Sequence, residues 1–151
     1  MKSRLHLRQM SGSVAVLLAI AGCASMNETA SRESTLIGPT WQLVSIRKGE
    51  QTTNLTPQQS ARYTIEFVVH DDARLQLGCN SGTAGWSASL MRHVLRIGEI
   101  RSTRMACPDA EIESLLRTGL PGGNTYGFSS DERTLMVRSK VATFSFRNAA
   151  D

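Results

Sequence analysis

Three side chains in this sequence carry a thiol, Cys23, Cys79 and Cys107, and two histidines, His70 and His93, lie near the last two in sequence. A thiol becomes a nucleophile when a base takes its proton, so a cysteine–histidine pair is the first chemistry to test. His70 falls at the end of an alternating stretch and His93 in a turn, where a solvated imidazole is the ordinary outcome. Zinc fares no better. There is no C-x-x-C or paired-histidine spacing, and a set of Cys79, Cys107 and His93 lacks a fourth ligand. Gly78, Gly82 and Gly85 are not followed by the Lys-Ser/Thr of a phosphate loop, and a strand rather than a helix comes next. Ser81 does not sit in a G-x-S-x-G elbow. The paired carboxylates, Asp71–Asp72 and Asp131–Glu132, have the setting of solvated turns. The expectation is a protein with no catalytic residues, no metal and no cofactor.

The N-terminus has chemistry of another kind. Lys2, Arg4 and Arg8 form a positive segment, Val14 to Ala21 is a short uncharged apolar run, and small residues precede Cys23. That is the order of a secretory signal, and the run is too short to span a bilayer, which takes roughly 20 apolar residues. Ile20-Ala21-Gly22-Cys23 resembles the lipobox of bacterial lipoproteins. The resemblance implies that residues 1–22 are a lipoprotein signal peptide, that Cys23 is lipidated, and that cleavage precedes it. Ala24 in place of Asp resembles the outer-membrane sorting pattern. The expected location is therefore the cell envelope, with a lipid anchor in the outer membrane facing the periplasm or the cell surface.

Export changes two further readings. The formal charge of +4 counts Lys2, Arg4 and Arg8. Without them the chain holds 14 basic and 13 acidic residues, 17 less 3 against 13, so a nucleic-acid partner loses its electrostatic footing. Two cysteines remain in an exported domain, where thiols are normally oxidised, and a Cys79–Cys107 disulfide is the first expectation. Two buried free thiols packing as small hydrophobes are the alternative.

These residues must be positioned by the rest of the chain. Residues 23–35 are polar and aperiodic, the composition of a flexible tether. Thr40–Ile46 is a first strand with Trp41, Leu43 and Ile46 inward, and Arg47–Ala61 a polar connection. Arg62–His70 alternates, with Tyr63, Ile65, Phe67 and Val69 on one face, the mark of a half-buried strand. It forms a hairpin with Arg74–Leu77, which runs into Gly78-Cys79-Asn80. Two further strands, Trp86–Leu90 and Val94–Ile100, turn through residues 91–93. Asp109 is the expected N-cap of one helix, with Ile112, Leu115 and Leu116 as its apolar stripe and Gly119 as its end. Gly122-Gly123 makes a loop, Thr125–Ser129 a strand, and Thr134–Arg138 with Val141–Arg147 a closing hairpin. The fold class is mainly β: a small antiparallel barrel-like, curved sheet of seven or eight strands with one packed α-helix.

Trp41-Gln42-Leu43, then Leu77-Gly78-Cys79-Asn80 with Gly82 and Gly85, then Thr103-Arg104-Met105-Ala106-Cys107, an acidic helix and a closing hairpin together resemble the META/HslJ domain. The likeness covers residues 36–147. It implies a small antiparallel β-domain with a helix laid on it, typical of bacterial envelope lipoproteins and secreted proteins, and no established catalytic residues. This chain departs from the family pattern in the short, small-residue stretch Ser81–Gly85, so no ligand contact carries over to it. Gly78 before a cysteine suggests a bulge or close backbone approach, and Asn80 and Gly82 suit a turn. The cluster is first a structural corner; a second reading makes Asn80, Ser81 and Gly82 an exposed interaction loop.

The function expected is a non-enzymatic envelope lipoprotein, a binding or stress-tolerance accessory that meets an envelope protein at the membrane surface. An inhibitor of a hydrolase, with Ser81–Gly85 as its braced loop, and a carrier of a small apolar ligand inside an open barrel are the alternatives.

Overall fold

The computed structural model describes residues 36–150. The expected signal peptide, the lipidation site Cys23 and the tether 23–35 lie outside the described residues. Ten strands run β1 (Thr40–Lys48), β2 (Gln51–Asn54), β3 (Tyr63–Val68), β4 (Asp72–Leu77), β5 (Asn80–Ser89), β6 (Val94–Ile97), β7 (Arg101–Ser102), β8 (Gly122–Phe128), β9 (Thr134–Arg138) and β10 (Thr143–Asn148). Two helices, α1 (Pro57–Ser60) and α2 (Ala110–Gly119), interrupt them.

Eight of these strands form a closed antiparallel barrel in the order β1-β3-β4-β5-β6-β8-β9-β10, with β10 returning to β1. β2 pairs with the second half of β1, and β7 takes the place of β6 beside Gly82 and Thr83 of β5. Closure removes free edges from the barrel wall. Alternation drives it: Tyr63, Ile65 and Phe67, then Ala73, Leu75 and Leu77, then Phe144 and Phe146 all face inward and are buried. In β1 the register shifts between Leu43 and Ser45. The extra residue at this bulge turns Ile46 inward behind Trp41 and Leu43, where strict alternation would have turned it out.

Strand direction gives the barrel two ends. One, the helix end, carries the β4–β5 turn, the long connection from β7 through α2 to β8, and the β9–β10 turn. The other, the entry end, carries residues 69–71, 90–93 and 129–133 and receives the chain at Leu36. Leu36 is wholly buried there, its carbonyl accepting from Trp41 Nε1 at 3.2 Å, and Ile37 bridges to Phe67.

Several expected elements are corrected. The polar connection 47–61 contains β2 and α1; Thr56 and Gln59 form a reciprocal capping box around that single turn. The alternating strand ends at Val68, and Val69 is exposed in the turn, because His70 and Asp71 both adopt positive φ and reverse the chain. Gly122 and Gly123 begin β8 instead of forming a loop, since pairing with Ile97 and Arg96 outweighs the weak strand preference of glycine. The strand expected over Val94–Ile100 stops at Ile97, where Gly98 donates to Gly85 O, and pairing resumes at Arg101.

Candidate functional site

The corner at the helix end grows from a tight turn. Gly78, with φ of 72°, links β4 to β5 in a conformation that a residue with a Cβ adopts at a cost. It leaves Cys79 facing Cys107, and the two form a disulfide with Cα atoms 5.6 Å apart. The expected bridge is therefore present.

The stretch after it is not a loop. Asn80, Ser81 and Gly82 open β5, paired with Leu77, Gln76 and Leu75 of β4. This corrects the candidate interaction loop. Asn80, Gly82, Ala84 and Trp86 alternate inward, and only Ser81 of the three candidates is exposed. Small residues are needed because β7 lies close: a Cβ on Gly82 would sit 3.2 Å from both Arg101 O and the Ile100 side chain.

Asn80, almost fully buried, organises the corner. Its Oδ1 accepts from the Met105 amide at 2.7 Å and from Thr103 Oγ1 at 2.8 Å. Its Nδ2 donates to Met105 O at 3.0 Å and to Glu113 Oε2 at 2.9 Å. One side chain thus holds both polar groups of Met105 and the first turns of α2. Glu113 in turn meets Arg117 at 3.5 Å, and Arg117 donates to Ser102 Oγ at 3.1 Å. The asparagine and the Thr-x-Met spacing were visible in the sequence. That the amide faces inward and the threonine and methionine backbone come to it was not.

Asp109 stands at the N-cap position of α2 but in the left-handed region, and its side chain caps nothing. Its carboxylate takes Arg62 instead, at 2.7 Å. The Asp109 carbonyl accepts from Tyr63 Oη at 3.1 Å. Burial, reinforced by the Asp109 carboxylate, pushes the Tyr63 phenol above its ordinary 10.0, while Arg62 pulls it the other way. The apolar stripe of α2 packs as expected, Leu116 buried and Ile112 and Leu115 half-buried against the core, and Glu113 and Gly119 join it on the barrel side.

His70 and His93 both sit in entry-end turns, at the opposite end of β4 and β5 from the disulfide. The structure does not bring an imidazole to either sulfur. The entry end is filled by rings: Phe67 and Trp86 lie 4.8 Å apart, and Trp41 and Phe128 5.8 Å. A cleft of about 320 Å³ beside them is lined by Leu90, His93, Tyr126, Phe128, Ser130 and Glu132, among others.

The model of the META domain family matches residues 34–151. Comparison with curated proteins finds no significant match. Among solved structures the chain is similar to an NMR structure of a protein from Burkholderia xenovorans, with a TM-score of 0.63 and 17% identity over 96% of this chain and 100% of that one. It is also similar to a crystal structure of a DUF4847 family protein from Bacteroides vulgatus, with a TM-score of 0.51 and 12% identity over 77% of this chain and 96% of that one. At these identities the likeness is one of fold.

Proposed function

The chain belongs to the META domain family, and from that premise we propose that it is a non-enzymatic module of the bacterial cell envelope, held to the outer membrane by lipid on Cys23 and working through contacts with another protein. The observation that carries this reading is the packed interior. Trp41, Tyr63, Phe67, Phe144 and Phe146 are each at most 1% exposed inside the barrel, which weighs against a carrier of a small ligand in the barrel interior and favours the outer surface as the part that acts. Cys79 and Cys107 are joined to each other, at the opposite end of the barrel from His70 and His93, which weighs against a cysteine–histidine pair and supports a non-enzymatic reading. The inhibitor alternative loses the loop first assigned to it, because Ser81–Gly85 is paired strand.

Lipid attachment supports the reading by keeping the barrel at high effective concentration near membrane-bound partners. The test is crosslinking and pull-down from intact envelopes with the native chain and with Cys23→Ala. The expected result is loss of the captured partner in Cys23→Ala while the barrel melts at an unchanged temperature. An identical partner set from both forms would overturn the role of the anchor, and no partner from either would overturn the contact reading.

A further inference from the structure

We propose that Arg101–Ala106 is a preorganised docking loop for a protein whose surface offers an apolar pocket ringed by carboxylates: Met105 enters the pocket and Arg101 and Arg104 meet its rim. The inference rests on the protein-contact reading and names the surface that reading left open.

The segment combines exposed side chains with an immobilised backbone. Thr103, Arg104, Met105 and Ala106 are all exposed, and Met105 shows 58% of its surface to solvent. Beneath them Asn80 holds the Met105 amide and carbonyl, Thr103 N–H donates to Ser81 O at 3.1 Å, and the disulfide fixes Cys107. Ordering a backbone residue costs conformational entropy. Folding has already ordered this one, so association does not lose that entropy again. Methionine is the unbranched, polarisable side chain that adapts to a pocket of irregular shape.

The charges point to the kind of partner. At the same end Arg62 is bound to Asp109 and Arg117 to Glu113. Among the described residues neither Arg101 nor Arg104 enters an ion pair. Two guanidinium groups outside any ion pair therefore belong to the same exposed segment as an apolar side chain, and carboxylates are their chemical complement. Position agrees. The chain enters at Leu36 on the opposite end, so a tether from the membrane leaves this loop facing away from its anchor. Twelve residues, 24–35, separate Cys23 from Leu36, and the thirteen steps between them, fully extended, reach about 45 Å.

The test uses the full-length lipidated chain in intact envelopes, with the photo-crosslinker p-benzoylphenylalanine placed at Met105, at Met91 on the entry end, and at four other exposed positions spread over the barrel. The expected result is one discrete protein adduct from position 105, reduced at least tenfold by the double change R101E and R104E. It should be regained when the mapped carboxylates of that partner are replaced by lysine. An adduct at 105 that is indifferent to the two charge reversals overturns the loop. Adducts at 91 with none at 105 also overturn it and leave the broader contact reading standing. No adduct from any of the six positions overturns both.

Discussion

The two ends of the barrel are closed by different physics. At the helix end the seal is polar and covalent: a disulfide, a buried asparagine with bonds to Thr103, Met105, Cys107 and Glu113, and an ion pair at the start of α2. At the entry end it is apolar: Leu36, Trp41, Phe67, Trp86 and Phe128 stack over the opening. Hydrogen bonds and a covalent link fix particular backbone positions, whereas apolar packing fills volume and tolerates adjustment. A surface that must present side chains in one geometry belongs at the first kind of end. A place where the chain enters the barrel needs only the second.

Removing the links of the helix end one at a time should therefore cost stability in steps. The double change Cys79→Ala and Cys107→Ala frees a loop with a sequence separation of 28, for which chain entropy gives a loss of about 3–4 kcal/mol, measurable as a shift of the urea midpoint. Asn80→Ala takes this partner from the part-buried Met105 amide and carbonyl and leaves the Glu113 carboxylate with Arg117. With roughly 1 kcal/mol per lost bond, and more for groups left unsatisfied, the expected cost is about 3 kcal/mol. It should also raise hydrogen exchange at the Met105 amide, which an equally destabilising change at the entry end should not do selectively. Uniform exchange in both variants would mean that the ends are not independent.

The entry end should yield to truncation. Leu36→Ala removes a wholly buried side chain, and such changes cost about 2–3 kcal/mol where neighbours can partly collapse. A cost below 1 kcal/mol would show that Leu36 is not part of the seal. Gly119→Ala probes how closely α2 lies on the barrel. The new Cβ would sit 2.7 Å from the Phe144 ring and 2.8 Å from a Val141 methyl. Overpacking costs about 1–3 kcal/mol, while alanine regains somewhat under 1 kcal/mol of helix preference. The net expectation is a loss of about 1–2 kcal/mol; a stabilised variant would mean that α2 is free to lift.

The difference between the ends also marks what could be read from the sequence. The barrel strands follow alternation, and Tyr63–Phe67, Leu75–Leu77 and Phe144–Phe146 announce their buried faces without help. The cysteine pairing follows from the count of two in-domain cysteines together with the expectation of export. Asn80–Gly85 did not look like a strand, because asparagine and glycine disfavour one intrinsically. Only the close passage of β7 explains the glycine at position 82. Asp109 had the sequence signature of an N-cap, yet Arg62, distant in sequence, takes its carboxylate. Glu113 is a first-turn acid by position, and its inward bond to Asn80, 33 residues away in sequence, is not visible in the helix pattern. Local patterns gave the wall of the barrel, while its polar corner is made of contacts between residues 20 to 50 apart in sequence, which no local pattern encodes.

Tyr63 offers the finest probe of the polar seal, because it reports on pH what the other variants report on stability. The phenol lies buried beneath the start of α2 and donates to Asp109 O at 3.1 Å. Burial first, and then the Asp109 carboxylate, hold its pKa above the ordinary 10.0. The folded state therefore keeps the proton to higher pH than the unfolded chain does. Linkage fixes the sign: the stability from this group is fully present below about pH 10, where both states are protonated, and is lost as pH rises from there through the folded-state value. In Tyr63→Phe the bond to Asp109 is gone, which costs about 1 kcal/mol at pH 8, but nothing at this position remains to titrate. Urea midpoints compared at pH 8 and pH 11 should fall less for Tyr63→Phe than for the native chain. Equal falls would place the phenol in water, and the start of α2 would then be no part of a dry seal.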